Sequence, residues 1–300
     1  MGTVRSMSSL RVLGLVVLLA VGGRLPAGIL EDYVDRKDEA LAWKIHGEAN
    51  TLGVRILQVR LTSQVWRDRE WKHWMLVFVP PVVEDHKKGI LLIEGGSSRD
   101  GMPDTTRSEI TTVALSAVNL RAPVVVVLQV PNQPLYDNLY EDDLIAHTFD
   151  KYLRGGDDDW PLLLPMVKSA TAAMDAIQGL ARDGQLKTST GKRFPVDEFL
   201  VGGASKRGWT TWLTGVVDQR VCAMAPSVID VLNMAEQMEQ QRRTYGRFSD
   251  MIEPYTSRKI MERFDTPRGE QLRRIVDPYA YREQLKQPKL MLLGTYDPYW

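Results

Sequence analysis

Cysteine is almost absent from this 300-residue chain, histidine occurs four times, and neither sign of charge is in excess. The single cysteine, Cys222, excludes an internal disulfide, so the fold must rest on its core rather than on covalent staples. Its setting in the apolar run Val221 to Ala225 points to a buried, inert thiol. Lysine plus arginine and aspartate plus glutamate both number 38, so no net field draws the chain to nucleic acid or to an anionic membrane. No basic run with interleaved aromatics is present either, which argues against nucleic acid as a partner. No Asn-x-Ser/Thr acceptor occurs.

Long apolar runs are lacking too. The longest, Val12 to Val21, contains only Val, Leu, Gly and Ala. Its ten residues make a helix of about 15 Å, half of a bilayer core. Arg5 and Arg11 precede it and the small residues Val21-Gly22-Gly23 follow. That order reads as a secretory signal peptide over residues 1–23, hence a secreted protein with no stable membrane span. Export of the domain over residues 30–300 is the expectation.

What the chain does have is an alternation of strand and helix patterns. Val54 to Ser63 alternates apolar and polar residues, and Trp71 to Val79 reads as its antiparallel partner, stopped by Pro80-Pro81. Leu30 to Trp43 reads as a short surface segment. Gly89 to Glu94 and Val124 to Val130 are short, wholly apolar strands of the kind buried on both faces of a parallel sheet. Helical spacing at Thr105 to Asn119 and Leu162 to Leu180 supplies crossovers, and Val221 to Ile229 is a further strand. The expected class is α/β, a doubly wound, mainly parallel sheet. Residues 232–275 are polar and broken by Pro254 and Pro267, and read as a helical cap inserted over the sheet edge. The sheet is expected to resume at Lys289 to Gly294.

The stretch that organises the rest is Phe199 to Leu213, FLVGGASKRGWTTWL. A short apolar strand, a turn of glycine and alanine with Ser205 at its apex, and a helix make a nucleophile elbow. The turn strains the serine backbone, so its neighbours must be small. The spacing is G-x-S-x-x-G, through Gly203, Ser205 and Gly208, with Arg207 where a small residue is usual. In such a site an acid follows the serine in chain order. Asp297, on the turn after the late strand, fits that place, and Asp230 is the alternative acid. The backbone N–H of Lys206 and an N–H from Gly96 or Ser97 are the expected oxyanion donors, with the Lys206 charge beside them. A basic pair so near the serine suggests an anionic or electron-rich ligand. The histidine a serine needs as base is missing from its usual place, because His46, His73, His86 and His147 all precede Ser205. No metal-ligand cluster or cofactor motif is evident.

These residues also add up to a resemblance. SKRGWTTWL (205–213), PLLLPMVKSATAAMDAIQ (161–178), PNQPL (131–135), EDDLIA (141–146), DQRVCAMAPSVIDVLNM (218–234) and SQVWR (63–67) resemble the PhoPQ-activated pathogenicity-related proteins, from about Leu30 to the last residue. The resemblance implies an α/β-hydrolase-like fold and secretion, with a serine at Ser205 and an acid at Asp297. It also implies a histidine-bearing loop in sequence following the last residue seen here, so the C-terminal part of the fold is expected to be missing. His147 stands where the family usually has an aromatic residue. The elbow alone is similar to that of the glucuronoyl methylesterases, where a basic residue beside the serine helps bind the oxyanion. Two functions are compatible with this reading. One is a serine hydrolase acting on a small-molecule or peptide ester or amide. The other, since the family includes a secreted proliferation repressor, is a non-catalytic signal recognised by a cell-surface receptor.

Overall fold

The computed structural model describes residues 28–84 and 87–299. Residues 1–23, which read as a signal peptide, and His86 lie outside the described residues. The chain opens with helix α1 (Ile29–Asp35) and three long strands, β1 (Ala42–Thr51), β2 (Val54–Trp66) and β3 (Arg69–Val79). Two-residue turns join the strands, Leu52-Gly53 and Arg67-Asp68, and all four residues have positive φ. That backbone twist matches antiparallel neighbours, and β1–β2 and β2–β3 are both antiparallel. Strand β1 corrects the expectation of a short surface segment that reached Trp43. Its residues alternate between exposed and half-buried, so an edge strand with charges on one face hid in a polar-looking stretch.

Strand β4 (Lys88–Ile93), helix α2 (Ser108–Leu120) and strand β5 (Val124–Val127) form the first parallel crossover. Helices α3 (Glu141–Leu153) and α4 (Leu163–Arg182) then lead to β6 (Glu198–Ala204), α5 (Lys206–Val217) and β7 (Val221–Ser227). The seven strands stand in the order β1-β2-β3-β5-β4-β6-β7, parallel from β5 to β7. From β4 the chain steps one way to β5 and later the other way to β6. The crevice beyond the strand ends at such a switch point is where open α/β sheets bind ligands.

Why the sheet is buried on both faces is plain from β5. Val125 and Val127 point into the larger core, with Leu91, Ile93 and Val201 and the α4 residues Met166, Val167 and Ala170. Val124 and Val126 point the other way, with Phe78 and Leu76, against Ile110, Ala114 and Ala117 of α2. A period of two sends alternate residues to opposite faces, so both faces of a central strand must be apolar. Helix α4 is buried nearly all round, as an apolar helix within a large core should be. Cys222, on β7, is half-buried, less enclosed than its apolar neighbours suggested.

After β7 the chain is helical again, in α6 (Met234–Tyr245), the short α7 (Glu253–Thr256) and α8 (Pro267–Val276). Pro254 and Pro267 open α7 and α8, where a missing N–H costs nothing. The Thr266 hydroxyl accepts from the Gly269 N–H and caps α8. Helices α7 and α8 pack against α3. Residues 289–292 follow β7 through isolated parallel bridges, Met224 to Lys289 and Ser227 to Leu292. Among the described residues nothing covers this run, so Leu290 to Leu293 are exposed where a buried strand was expected.

Candidate active site

Strand β6 delivers the chain to Ser205, where φ is 54° and ψ is −125°. That region is nearly closed to residues with a Cβ, so surrounding structure must hold it there. The Ser205 N–H donates to the Ser227 carbonyl at 2.9 Å, and the Ser205 carbonyl accepts from Trp209 N–H at 3.0 Å, which starts α5. The two glycines explain the spacing. A Cβ on Gly203 would sit 2.7 Å from the Arg207 carbonyl. One on Gly208 would sit 2.5 Å from Ile229 Cγ2 and 3.0 Å from the Gly203 carbonyl. Gly208, three residues after the serine, lets α5 close on β6 and β7. Ser205 stands at the head of α5 with no side-chain capping bond of its own, where unpaired N–H groups and the positive helix end converge. Val228, just past β7, is a β-branched residue held at φ 44°, a second strained position beside the serine.

Ser205, Lys206 and Asp297 line one cavity of about 350 Å³. Its wall is built largely by the helical stretch after β7, through Met238, Ile252, Ile260 and Phe264, and by Phe149 and Trp209. Asp297 Oδ1 also accepts the Tyr299 N–H at 3.0 Å. Asp230 is not in this lining. Nor are Gly96 and Ser97: Gly96 faces a second cavity with Gly95, Gln129 and Arg207, and the Ser97 N–H donates to Asp100 Oδ2 at 2.7 Å. The structure therefore brings Ser205, Lys206 and Asp297 together and leaves the other three candidates elsewhere.

The two cations after the serine are already paired. Lys206 Nζ lies 2.6 Å from Asp142 Oδ2 and 3.7 Å from Glu141 Oε2. Arg207 turns away from the serine, donating from Nε to the Val130 carbonyl at 2.7 Å and gripping both oxygens of Glu141 at 2.6 and 2.7 Å. Its guanidinium fills the space a Cβ on Gly95 would take, so glycine there and arginine at 207 are one packing solution. Burial alone would raise the Glu141 carboxyl, but bonds from Arg207 and Gln133 and the nearby Lys206 charge hold it below its ordinary value. The Tyr255 hydroxyl donates to Asp142 Oδ1 at 2.9 Å, and burial with the Asp142 charge pushes it well above its usual range. Glu141, Asp142 and Tyr255 were missed as site residues. The consecutive acids that open EDDLIA were the available signal, since acids favour a helix start, but only the fold shows which cations they face.

None of the described histidines lines this cavity. His73 is fully buried, donating from Nδ1 to the Leu128 carbonyl and accepting at Nε2 from Ser63. Burial lowers it to about 4, so it is neutral. His147 stacks on Tyr136 at 5.0 Å, and His46 meets Trp74 edge-on. Among the described residues no cluster of His, Cys, Asp and Glu could hold a metal, and no helix is long and apolar enough to cross a membrane.

A glucuronoyl esterase from Solibacter usitatus superposes with a TM-score of 0.50 at 10% identity, over 88% of this chain and 72% of that one. An acetyl xylan esterase from Paenibacillus sp. R4 gives a TM-score of 0.49 at 12% identity, over 89% and 86%. The fold is α/β-hydrolase-like. The autocrine proliferation repressor protein A of Dictyostelium discoideum is 33% identical over 307 residues, 98% of this chain. The chain spans 59% of that curated relative's length. The model of the PhoPQ-activated pathogenicity-related proteins matches residues 30–300, and the chain belongs to that family.

Proposed function

We propose that the protein is a secreted serine hydrolase acting on an ester or amide. The observation that carries this is Ser205, held at positive φ on a strand-to-helix elbow and opening with Asp297 into an apolar cavity. Ser205 Oγ is the nucleophile and attacks the substrate carbonyl carbon. Its proton passes through a base to the leaving alcohol or amine as that bond breaks, and water then hydrolyses the acyl-serine by the reverse proton path. Asp297 orients the base and stabilises its charged form. The Lys206 N–H, at the head of α5, donates to the oxyanion, and Gly96 or Ser97 contributes only if the β4 loop turns toward the serine. No described histidine lines the cavity, so this reading needs a base reaching the space between Ser205 and Asp297 from outside the described residues.

A second reading is favoured by that same lack of a described base and by the internal pairing of both cations. On it, the protein is a non-catalytic signal bound by a receptor; of this, the name of its Dictyostelium relative, an autocrine proliferation repressor, supports the signalling alone. Hydrolysis of 4-nitrophenyl esters by the purified protein and by its Ser205→Ala variant separates the two. The hydrolase reading expects turnover that falls by at least about a thousandfold in the variant. Equal rates in the two proteins would sink it.

A further inference from the structure

The cavity over Ser205 is chemically one-sided. Phe149, Trp209, Ile260 and Phe264 give it rigid apolar walls, while Met238 and Met261 add unbranched side chains that adapt to a flexible guest. Its charged lining is Lys206, Asp142 and Asp297. The one ammonium is held by Asp142 at 2.6 Å, and the neighbouring Arg207 is committed to Glu141 and faces the second cavity. No cation in this lining is left for a substrate carboxylate. An anionic acyl group entering it would lose water without gaining a partner and would face two carboxylates.

The volume of about 350 Å³ falls within the range of small-molecule sites. At about 30 Å³ for each water-sized group, roughly a dozen heavy atoms fill it. We propose that the cavity receives the acyl chain of a neutral ester, an unbranched aliphatic chain of about six to ten carbons, with its carbonyl carbon at Ser205. This deepens the serine-hydrolase reading and rests on it. An acyl group of the same length that ends in a carboxylate is excluded by the same lining.

The test pairs a kinetic series with a binding measurement that needs no chemistry. With 4-nitrophenyl esters from acetate to dodecanoate, kcat/KM rises about fourfold per added methylene until the cavity is full, then levels or falls. The adipate monoester, as long as hexanoate but ending in a carboxylate, reacts at least about tenfold more slowly than hexanoate. Met261→Trp, which fills part of the cavity, moves the optimum to shorter chains. In the Ser205→Ala protein, 4-nitrophenyl octyl ether binds by calorimetry and the ethyl ether does not. Turnover with acetate preferred and no binding of the octyl ether would overturn the chain-length assignment and leave the serine site standing. Binding of the octyl ether with no turnover of any ester would overturn the hydrolase reading and with it the assignment of the guest as an acyl group.

Discussion

At Ser205 three local facts depend on one another: a backbone at positive φ, glycine two residues before and three after, and the Ser205 N–H bonded to Ser227. A Cβ on Gly208 meets Ile229 at 2.5 Å and the Gly203 and Ser227 carbonyls at 3.0 and 3.1 Å, and backbone carbonyls cannot step aside as a side chain can. Gly208→Ala should therefore cost about 1–3 kcal/mol of stability by overpacking. Gly101→Ala, where a Cβ meets open space, should stay within about 0.5 kcal/mol of wild type. Urea denaturation of the three proteins checks this, and equal midpoints would contradict it. The elbow was legible from sequence because its constraint is local: only small residues fit, and they are consecutive. Chain order pointed to Asp297, which the structure places in the same cavity lining as Ser205. The partners of Lys206 and Arg207 were not, because Glu141 and Asp142 lie more than sixty positions upstream and only the packing of α3 against the elbow brings them near. For the same reason, sequence could not show that the basic pair that suggested an anionic or electron-rich ligand is met by the protein's own carboxylates.

Among elements, the parallel strands and their crossover helices were readable from apolar runs and helical spacing, and the structure has them. Strand β1 was not, since an edge strand carries charge on its open face and has too little apolar pattern to declare itself. Residues 289–292 are the converse: an apolar run that reads as buried lies exposed along β7. The contact of β2 and β3 with α4 holds a polar feature that no pattern showed. Ser63, His73 and Ser169 join in one buried hydrogen-bonded group. His73 has a pKa of about 4 against 6.5 when unperturbed, because burial disfavours its charge. Above pH 6.5 folded and unfolded states both hold it neutral. As pH falls from 6.5 toward 4 the unfolded chain takes up a proton that the folded one refuses. Stability is then lost, in all about 3 kcal/mol from this residue. His73→Gln removes that slope, so its stability gap from wild type should narrow between pH 7 and pH 4.5 in urea melts. A gap that stays constant would assign the acid sensitivity to other groups.

Over the whole molecule, the switch point between β4 and β6 gathers the β4 loop, Ser205 and Val228 at one rim, and the helices after β7 close over the serine. The arrangement places a strained serine under an apolar roof, with its neighbouring cations neutralised from α3. Such a site makes sense for an uncharged substrate, and the serine's reactivity is the point on which the account turns. The most direct measurement is reaction of the purified protein with an alkyl fluorophosphonate, followed by peptide mass spectrometry. That reagent needs an activated hydroxyl, not merely an exposed one. The account predicts a single adduct on Ser205, absent from Ser205→Ala and suppressed by a competing octanoate ester. A native protein that remains unmodified at Ser205 under conditions that label an ordinary serine esterase would contradict it.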